Sequence, residues 1–229
     1  DIRIGPSVYR MGIGGLHSQE AARALFSTPQ MLLSDHDVAS YYPTLILLAG
    51  MFPPAIGEQF LSIYRAIYDA RLQAKDAASA CKKAGDKEGA KHWKTIADSL
   101  KITLNGAFGK LVSKYSILFA PELLIQTTIT GQLALLMLIE AMETRGISVV
   151  SANTDGIILH TPAHLQGLRD ELIAWWEQRT GLQTEATFYS AVFNRSVNDY
   201  LAYTTAGEVK RKGTTFAPPG LIENKHPDR

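Results

Sequence analysis

The sequence predicts an α+β protein in which a helical insertion separates two aspartates carried on β-structure. Three observations support this. A short apolar strand, residues 31–34, leads into Asp35, His36 and Asp37. Apolar runs at 147–152 and 157–160 flank Asn153-Thr154-Asp155-Gly156, which reads as a β-hairpin with an acidic tip. Between them, residues 57–104 keep a helical pattern broken near 82–89 by Lys-Lys-Ala-Gly-Asp-Lys-Glu-Gly, a solvated turn joining two antiparallel helices. Further on come an irregular segment from 109 to 121 and a long buried helix to about Arg145. An amphipathic helix at 161–179 carries Trp175 and Trp176, and strands at 188–212 turn near Ala206-Gly207. No internal repeat or low-complexity linker interrupts the pattern.

With 229 residues, 46% of them hydrophobic, the chain can bury a substantial core as one large domain or two small ones. A net charge of +1 and a pI near 8.0 do not reveal a nucleic-acid partner, so any such contact must come from local patches. The single cysteine, Cys81, excludes an internal disulfide framework and a site of several thiolates, which turns attention to oxygen ligands. His17, His36, His92, His160, His164 and His226 lack the spacing of a zinc site. His36 is expected to face away from Asp37, and Asp35 to share the Asp37 face if the strand continues. Asp35 would then be a spare carboxylate or a salt-bridge partner. No basic, apolar leader opens the sequence, so a cytoplasmic setting is the expectation. Residues 38–57 are broken by Pro43, Pro53 and Pro54, and 123–139 carry Gln126, Thr127, Thr128, Thr130 and Gln132; both read as core rather than membrane spans.

Two aspartates brought together from a strand end and a hairpin tip can share hard cations, and magnesium prefers such oxygen ligands. Taken alone, Asp37 is an ordinary surface carboxylate and Asn153-Thr154-Asp155-Gly156 is good turn composition. On the helical hairpin, Arg71 and Lys75 are four apart and lie on one face, as do Lys101 and Asn105. Such a face is usually solvated, but it also suits the oxygens of a triphosphate. Gly106 and Gly109 flank Phe108, where a base pair could approach closely; the alternative is a helix end with a core phenylalanine.

Taken in order, three motifs resemble those of family B DNA polymerases, particularly the phage-type members. They are Asp37-Val38-Ala39-Ser40-Tyr41-Tyr42-Pro43, Lys101-Ile102-Thr103-Leu104-Asn105-Gly106-Ala107-Phe108-Gly109, and Asn153-Thr154-Asp155-Gly156. Arg71 with Lys75 and the run Leu118-Phe119-Ala120-Pro121-Glu122-Leu123 add to the likeness, which spans residues 12–213. The resemblance implies a polymerase palm, an antiparallel sheet with packed helices, and a helical-hairpin fingers insertion. Residues 1–50 and 111–229 would form the palm and 51–110 the fingers.

In function it implies template-directed addition of deoxynucleotides to a primer 3'-hydroxyl, by phosphoryl transfer with two Mg2+ ions, or Mn2+ in their place. Asp37 and Asp155 would be the catalytic metal ligands, joined by the Val38 backbone carbonyl. Arg71, Lys75, Lys101 and Asn105 would hold the deoxynucleoside triphosphate. Tyr42 would exclude a 2'-hydroxyl and Phe108 would stack near the nascent pair. Gly14 and Gly15, in a glycine-rich segment at 12–17, together with Tyr200, Lys210 and Lys212, would touch primer-template DNA.

Several positions depart from the pattern. Asn153 stands where the family has an aspartate, Gly106 replaces a serine, Phe108 replaces a tyrosine, and Asn198-Asp199-Tyr200 replaces a lysine-rich motif. Neither a thumb nor an acidic exonuclease motif is found in these residues. Weak primer-template binding and poor processivity follow, unless a full-length protein supplies those regions. Two rivals remain: another palm-type nucleotidyltransferase, such as a reverse transcriptase or a primase-like enzyme, and a catalytically silent DNA-binding fragment.

Overall fold

The computed structural model describes residues 1–216, so His226 lies outside the described residues. The described chain is a mixture of helices and antiparallel sheet, an α+β fold. Its strands are β1 (Ile2–Ile4), β2 (Ser7–Arg10), β3 (His17–Gln19), β4 (Arg23–Phe26), β5 (Met31–Val38), β6 (Ser148–Asn153), β7 (Gly156–Pro162), β8 (Thr184–Ser196), β9 (Asp199–Thr204) and β10 (Val209–Lys212). Its helices are α1 (Tyr41–Leu48), α2 (Gln59–Lys83), α3 (Lys87–Lys110), α4 (Pro121–Glu143) and α5 (Gln166–Thr180). Two compact units emerge: Asp1–Ala39 with the chain from Ile129 onward, and Ser40–Thr128.

The first unit is built on a sheet of order β1-β2-β3-β6-β7-β5-β8-β9-β10, with β4 added against β8 and every pairing antiparallel. Central β5 runs on through Asp35, His36 and Asp37 to Val38 and does not end at Ser34, because β7 and β8 pair with it on both sides along that stretch. Alternation along the strand then puts Leu33, Asp35 and Asp37 on one face and Ser34 and His36 on the other. On the first face Leu33 joins Val150, Ile158, Tyr189, Val192 and Ala202 in a core. Each buried leucine, isoleucine or valine side chain in it contributes roughly 1.5–3 kcal/mol. On the second face His36 Nε2 lies 3.0 Å from Ser34 Oγ. Nearby, the α5 residue Arg169 rests over the Phe188 ring beside Ser34. Helix α5 is pinned to α4 by the indole of Trp176, which donates to the Ala134 carbonyl at 2.7 Å.

The second unit holds the helical hairpin. Its turn is set by Gly85 at φ 77°, a conformation that favours glycine, and by Asp86, whose side chain accepts from the Gly89 amide at 2.9 Å and caps α3. Helix α3 continues through Gly106 and Gly109 to Lys110. Ile46, Met51, Phe60, Tyr64, Leu104, Leu111, Leu123 and Leu124 form this unit's core. Helix α4 is long and apolar enough to cross a membrane by length and composition, but its most apolar window is 56% buried within the protein. It also leaves Ile125, Ile129 and Leu133 exposed along one stripe, where uniform burial was expected.

Burial, followed by repulsion from Arg169, pushes the His36 imidazole from its ordinary 6.5 down to about 4. Folding therefore favours the neutral ring: its contribution is complete above pH 6.5 and is lost as the pH falls toward 4. The linkage amounts to about 3 kcal/mol. Asp35, raised to about 6, acts in the opposite sense over the same range, so a difference between variants is the informative quantity. Urea unfolding from pH 7 to pH 4 should show a shallower acid loss for His36→Gln than for wild type. Parallel curves would show that this imidazole is not the titrating group.

Candidate active site

Two chain segments meet at the end of β5. Asp37 pairs across the strands with Gly156 on β7 and Glu185 on β8. The Val38 amide then donates to the Asp155 carbonyl at 2.6 Å, tying the strand end to the β6–β7 hairpin. At the hairpin tip Thr154 has φ 51°, and the Asp155 amide donates back to the Asn153 carbonyl at 2.5 Å, a tight three-residue turn. A residue other than glycine in this region is strained by about 1–3 kcal/mol and needs support from its surroundings. That support comes from the glycine segment, where the Leu16 carbonyl accepts the Thr154 amide at 2.7 Å. Gly15 lies so close that a Cβ there would strike the Thr154 side chain. Gly156 is similarly tight, since a Cβ would strike the Asp37 carboxylate and crowd the His36 carbonyl.

Asp35, Asp37 and Asp155 line one cavity with Ser151, Asn153, Tyr200 and Lys212. Its volume is about 70 Å³, room for a few waters. Desolvation and then the charge of Asp37 push Asp35 up to about 6, against the lowering pull of Tyr189 and Lys210. Desolvation also raises Asp37, with Lys210 and Lys212 opposing it and Glu185 adding to it. Burial, then the charges of Asp35, Asp37 and Asp155, raises Tyr200 to about 12. The result is a crowded acidic cavity with ammonium groups beside it, the electrostatic setting in which a bound cation is favoured.

Asp35 is held from two sides. The Tyr189 hydroxyl donates to Oδ2 at 2.6 Å, and Lys210 Nζ lies 3.8 Å from the same atom. The Lys210 ammonium also donates to Thr187 Oγ1 at 3.3 Å and sits over the Tyr189 ring. Lys210, considered from the sequence as a DNA contact, is thus engaged with Asp35, and Asp35 is its salt-bridge partner. Gly14 offers its carbonyl to Gln132, and Gly15 is buried. Tyr189 and Gln132 are the residues that sequence reasoning missed. Alternation along β8 could flag Tyr189 as inward-facing, but nothing local pairs it with Asp35. Among the described residues, no group of three or more His, Cys, Asp or Glu side chains forms a ready cation cage.

The second unit carries the other sequence-derived candidates. The Arg71 guanidinium donates to the Ser40 hydroxyl, and Ser40 itself has φ 50° at the start of α1. Lys75 is half-buried one turn further along α2, and Lys101 and Asn105 are exposed one turn apart on α3. Tyr42 stacks on Phe108 with ring centroids 4.6 Å apart and on Tyr41 at 5.7 Å.

No protein-family model matches the sequence, and no curated protein does. The fold, however, is similar to that of the family B DNA polymerase from the hyperthermophilic archaeon Pyrobaculum calidifontis. The TM-score is 0.58 at 17% sequence identity, over 93% of this chain and 30% of that one. The chain thus spans about a third of the length of the polymerase it matches. The similarity is one of fold.

Tyr189→Phe should destabilise the protein by about 1–3 kcal/mol at pH 8, because it leaves a buried carboxylate oxygen without its donor. Since the folded state holds Asp35 near 6, well above its ordinary 3.8, the deficit should shrink as the pH falls below 6 and the carboxyl takes up a proton. Urea titrations at pH 8 and pH 5 measure both; a pH-independent deficit would separate Tyr189 from Asp35.

Proposed function

We propose that this chain is the palm and fingers region of a template-directed DNA polymerase of family B, of the phage type, with fingers at residues 51–110. One observation carries the reading: Asp37 and Asp155, from separate segments, line one cavity at a tied strand end and hairpin tip in a polymerase-like fold. The donor set fits magnesium, which takes one or two protein carboxylates and completes its shell with water and substrate phosphate, so a three-carboxylate cage is not required. Mn2+ would serve in its place.

Bound there, a pair of Mg2+ ions would supply Lewis-acid chemistry, making a primer 3'-hydroxyl more acidic and offsetting charge on the leaving pyrophosphate. Asp37, Asp155 and the Val38 carbonyl are the residues assigned to hold them. Arg71, Lys75, Lys101 and Asn105 are assigned to the phosphates of the deoxynucleoside triphosphate, for which the Arg71 fork would exchange its bond to Ser40 for phosphate oxygens. Tyr42, braced by Phe108, would present a rigid ring against a 2'-hydroxyl. Primer-template DNA would be met by Gly14, Gly15, Tyr200 and Lys212, with Lys210 contributing through its hold on Asp35. Thumb and exonuclease functions would belong to the rest of a longer protein. Such an enzyme would act in the cytoplasm, that of the host if the protein is viral.

A second reading, a catalytically silent DNA-binding fragment, is favoured by Asn153 in place of a carboxylate.

Extension of a labelled primer on a DNA template, with Mg2+ or Mn2+, separates the two. Deoxynucleotide addition that falls by at least about a thousandfold in Asp155→Ala is the expected result, several kcal/mol of lost charge stabilisation. Binding without addition under either metal would select the silent fragment. In an active enzyme, Tyr42→Ala should raise ribonucleotide use relative to deoxynucleotide by about tenfold, ~1.4 kcal/mol, in the same assay. An unchanged ratio would remove Tyr42 from sugar selection.

A further inference from the structure

Gln132, on α4, is 1% exposed, and its side-chain amide is fully engaged by the glycine segment. Its Oε1 accepts the Gly12 amide at 3.0 Å, while Nε2 donates to the Gly12 carbonyl at 2.8 Å and to the Gly14 carbonyl at 3.0 Å. One side chain thus fixes both flanks of Ile13, whose own side chain is 76% exposed and contributes little to holding the loop. Two residues after Gly14, the Leu16 carbonyl accepts the Thr154 amide, and Gly15 packs against the Thr154 side chain. Thr154 holds the positive φ that aims Asp155. We propose that Gln132 is a positioning residue for the carboxylate site, acting through the glycine segment on the hairpin tip that carries Asp155.

A glycine-rich segment has more conformational freedom than any other composition, so left alone it would be a poor brace for a strained turn. Three hydrogen bonds from one buried amide remove that freedom. An amide is required here, since only a group with both an acceptor and two donors on a planar fork satisfies one N–H and two carbonyls together. The same logic governs outer partners of metal ligands, whose loss typically costs about 10–100-fold in metal affinity. The consequence for cation binding rests on the polymerase reading; the mechanical link from Gln132 to Thr154 does not.

Gln132→Met keeps length and apolar packing and removes all three bonds, while Gln132→Glu keeps the acceptor and loses the paired donors. Two measurements are made on wild type and both variants: amide hydrogen exchange by NMR, and Mn2+ binding by electron paramagnetic resonance. The Thr154 amide should exchange at least about tenfold faster in the variants, with Leu33 and Leu159 in the central strands within about twofold of wild type. The Mn2+ dissociation constant should rise by about tenfold. Unchanged Thr154 exchange would overturn the proposal, as would faster exchange with unchanged Mn2+ affinity. Absence of Mn2+ binding by wild type would defeat the metal reading, and the exchange data would still decide the role of Gln132. Should Gln132→Met fail to fold, Gln132→Glu carries both readouts.

Discussion

The hydrogen bond from the Val38 amide to the Asp155 carbonyl is the constraint around which the first unit is organised. It closes the end of a central strand onto the tip of a hairpin formed much later in the chain, and so converts two unremarkable aspartates into neighbours on one cavity. The surrounding features serve that junction. Gly156 leaves clearance for the Asp37 carboxylate, Gly15 leaves clearance for Thr154, and the Leu16 carbonyl accepts the amide that a tight turn would otherwise leave unpaired. Backbone strain at Thr154 is tolerated because bonds on both sides determine its conformation.

Charge crowding is the second organising theme. Three aspartates on one cavity cost stability through desolvation and mutual repulsion, and the protein offsets this only in part. Tyr189 and Lys210 engage Asp35, which is almost fully buried, while Asp37 remains exposed with Lys212 alongside. Asp35 therefore behaves as a structural anchor for the basic β10 strand, leaving Asp37 and Asp155 as the carboxylates with access to solvent. Asn153 at the same cavity contributes an amide in place of a further negative charge, which lowers the repulsion that would have to be overcome.

Much of this was legible beforehand because it is local. The helical hairpin follows from apolar periodicity interrupted by a charged, glycine-bearing turn, and Asp86 with Gly85 closes it with ordinary capping chemistry. The acidic hairpin follows from two apolar runs around a short polar link. The end of β5 was harder to read: Asp35-His36-Asp37 looks like a strand terminus, yet pairing on both sides carries the strand through it. Polar residues persist inside a central strand when they find partners, as Asp35 does in Tyr189 and the His36 Nε2 atom does in Ser34.

The sequence by itself determined the α+β composition, the insertion of a helical hairpin and the identity of the aspartates worth watching, since periodicity, turn composition and motif order are properties of neighbouring residues. Tertiary structure alone decided that Tyr189 and Lys210 would hold Asp35, that Gln132 would grip the glycine segment, and that Asp37 and Asp155 would share a cavity. Those pairings depend on strand register and on the approach of helix to loop, and a hydrogen bond between residues 154 positions apart, as between Asp35 and Tyr189, leaves no periodic trace in the chain.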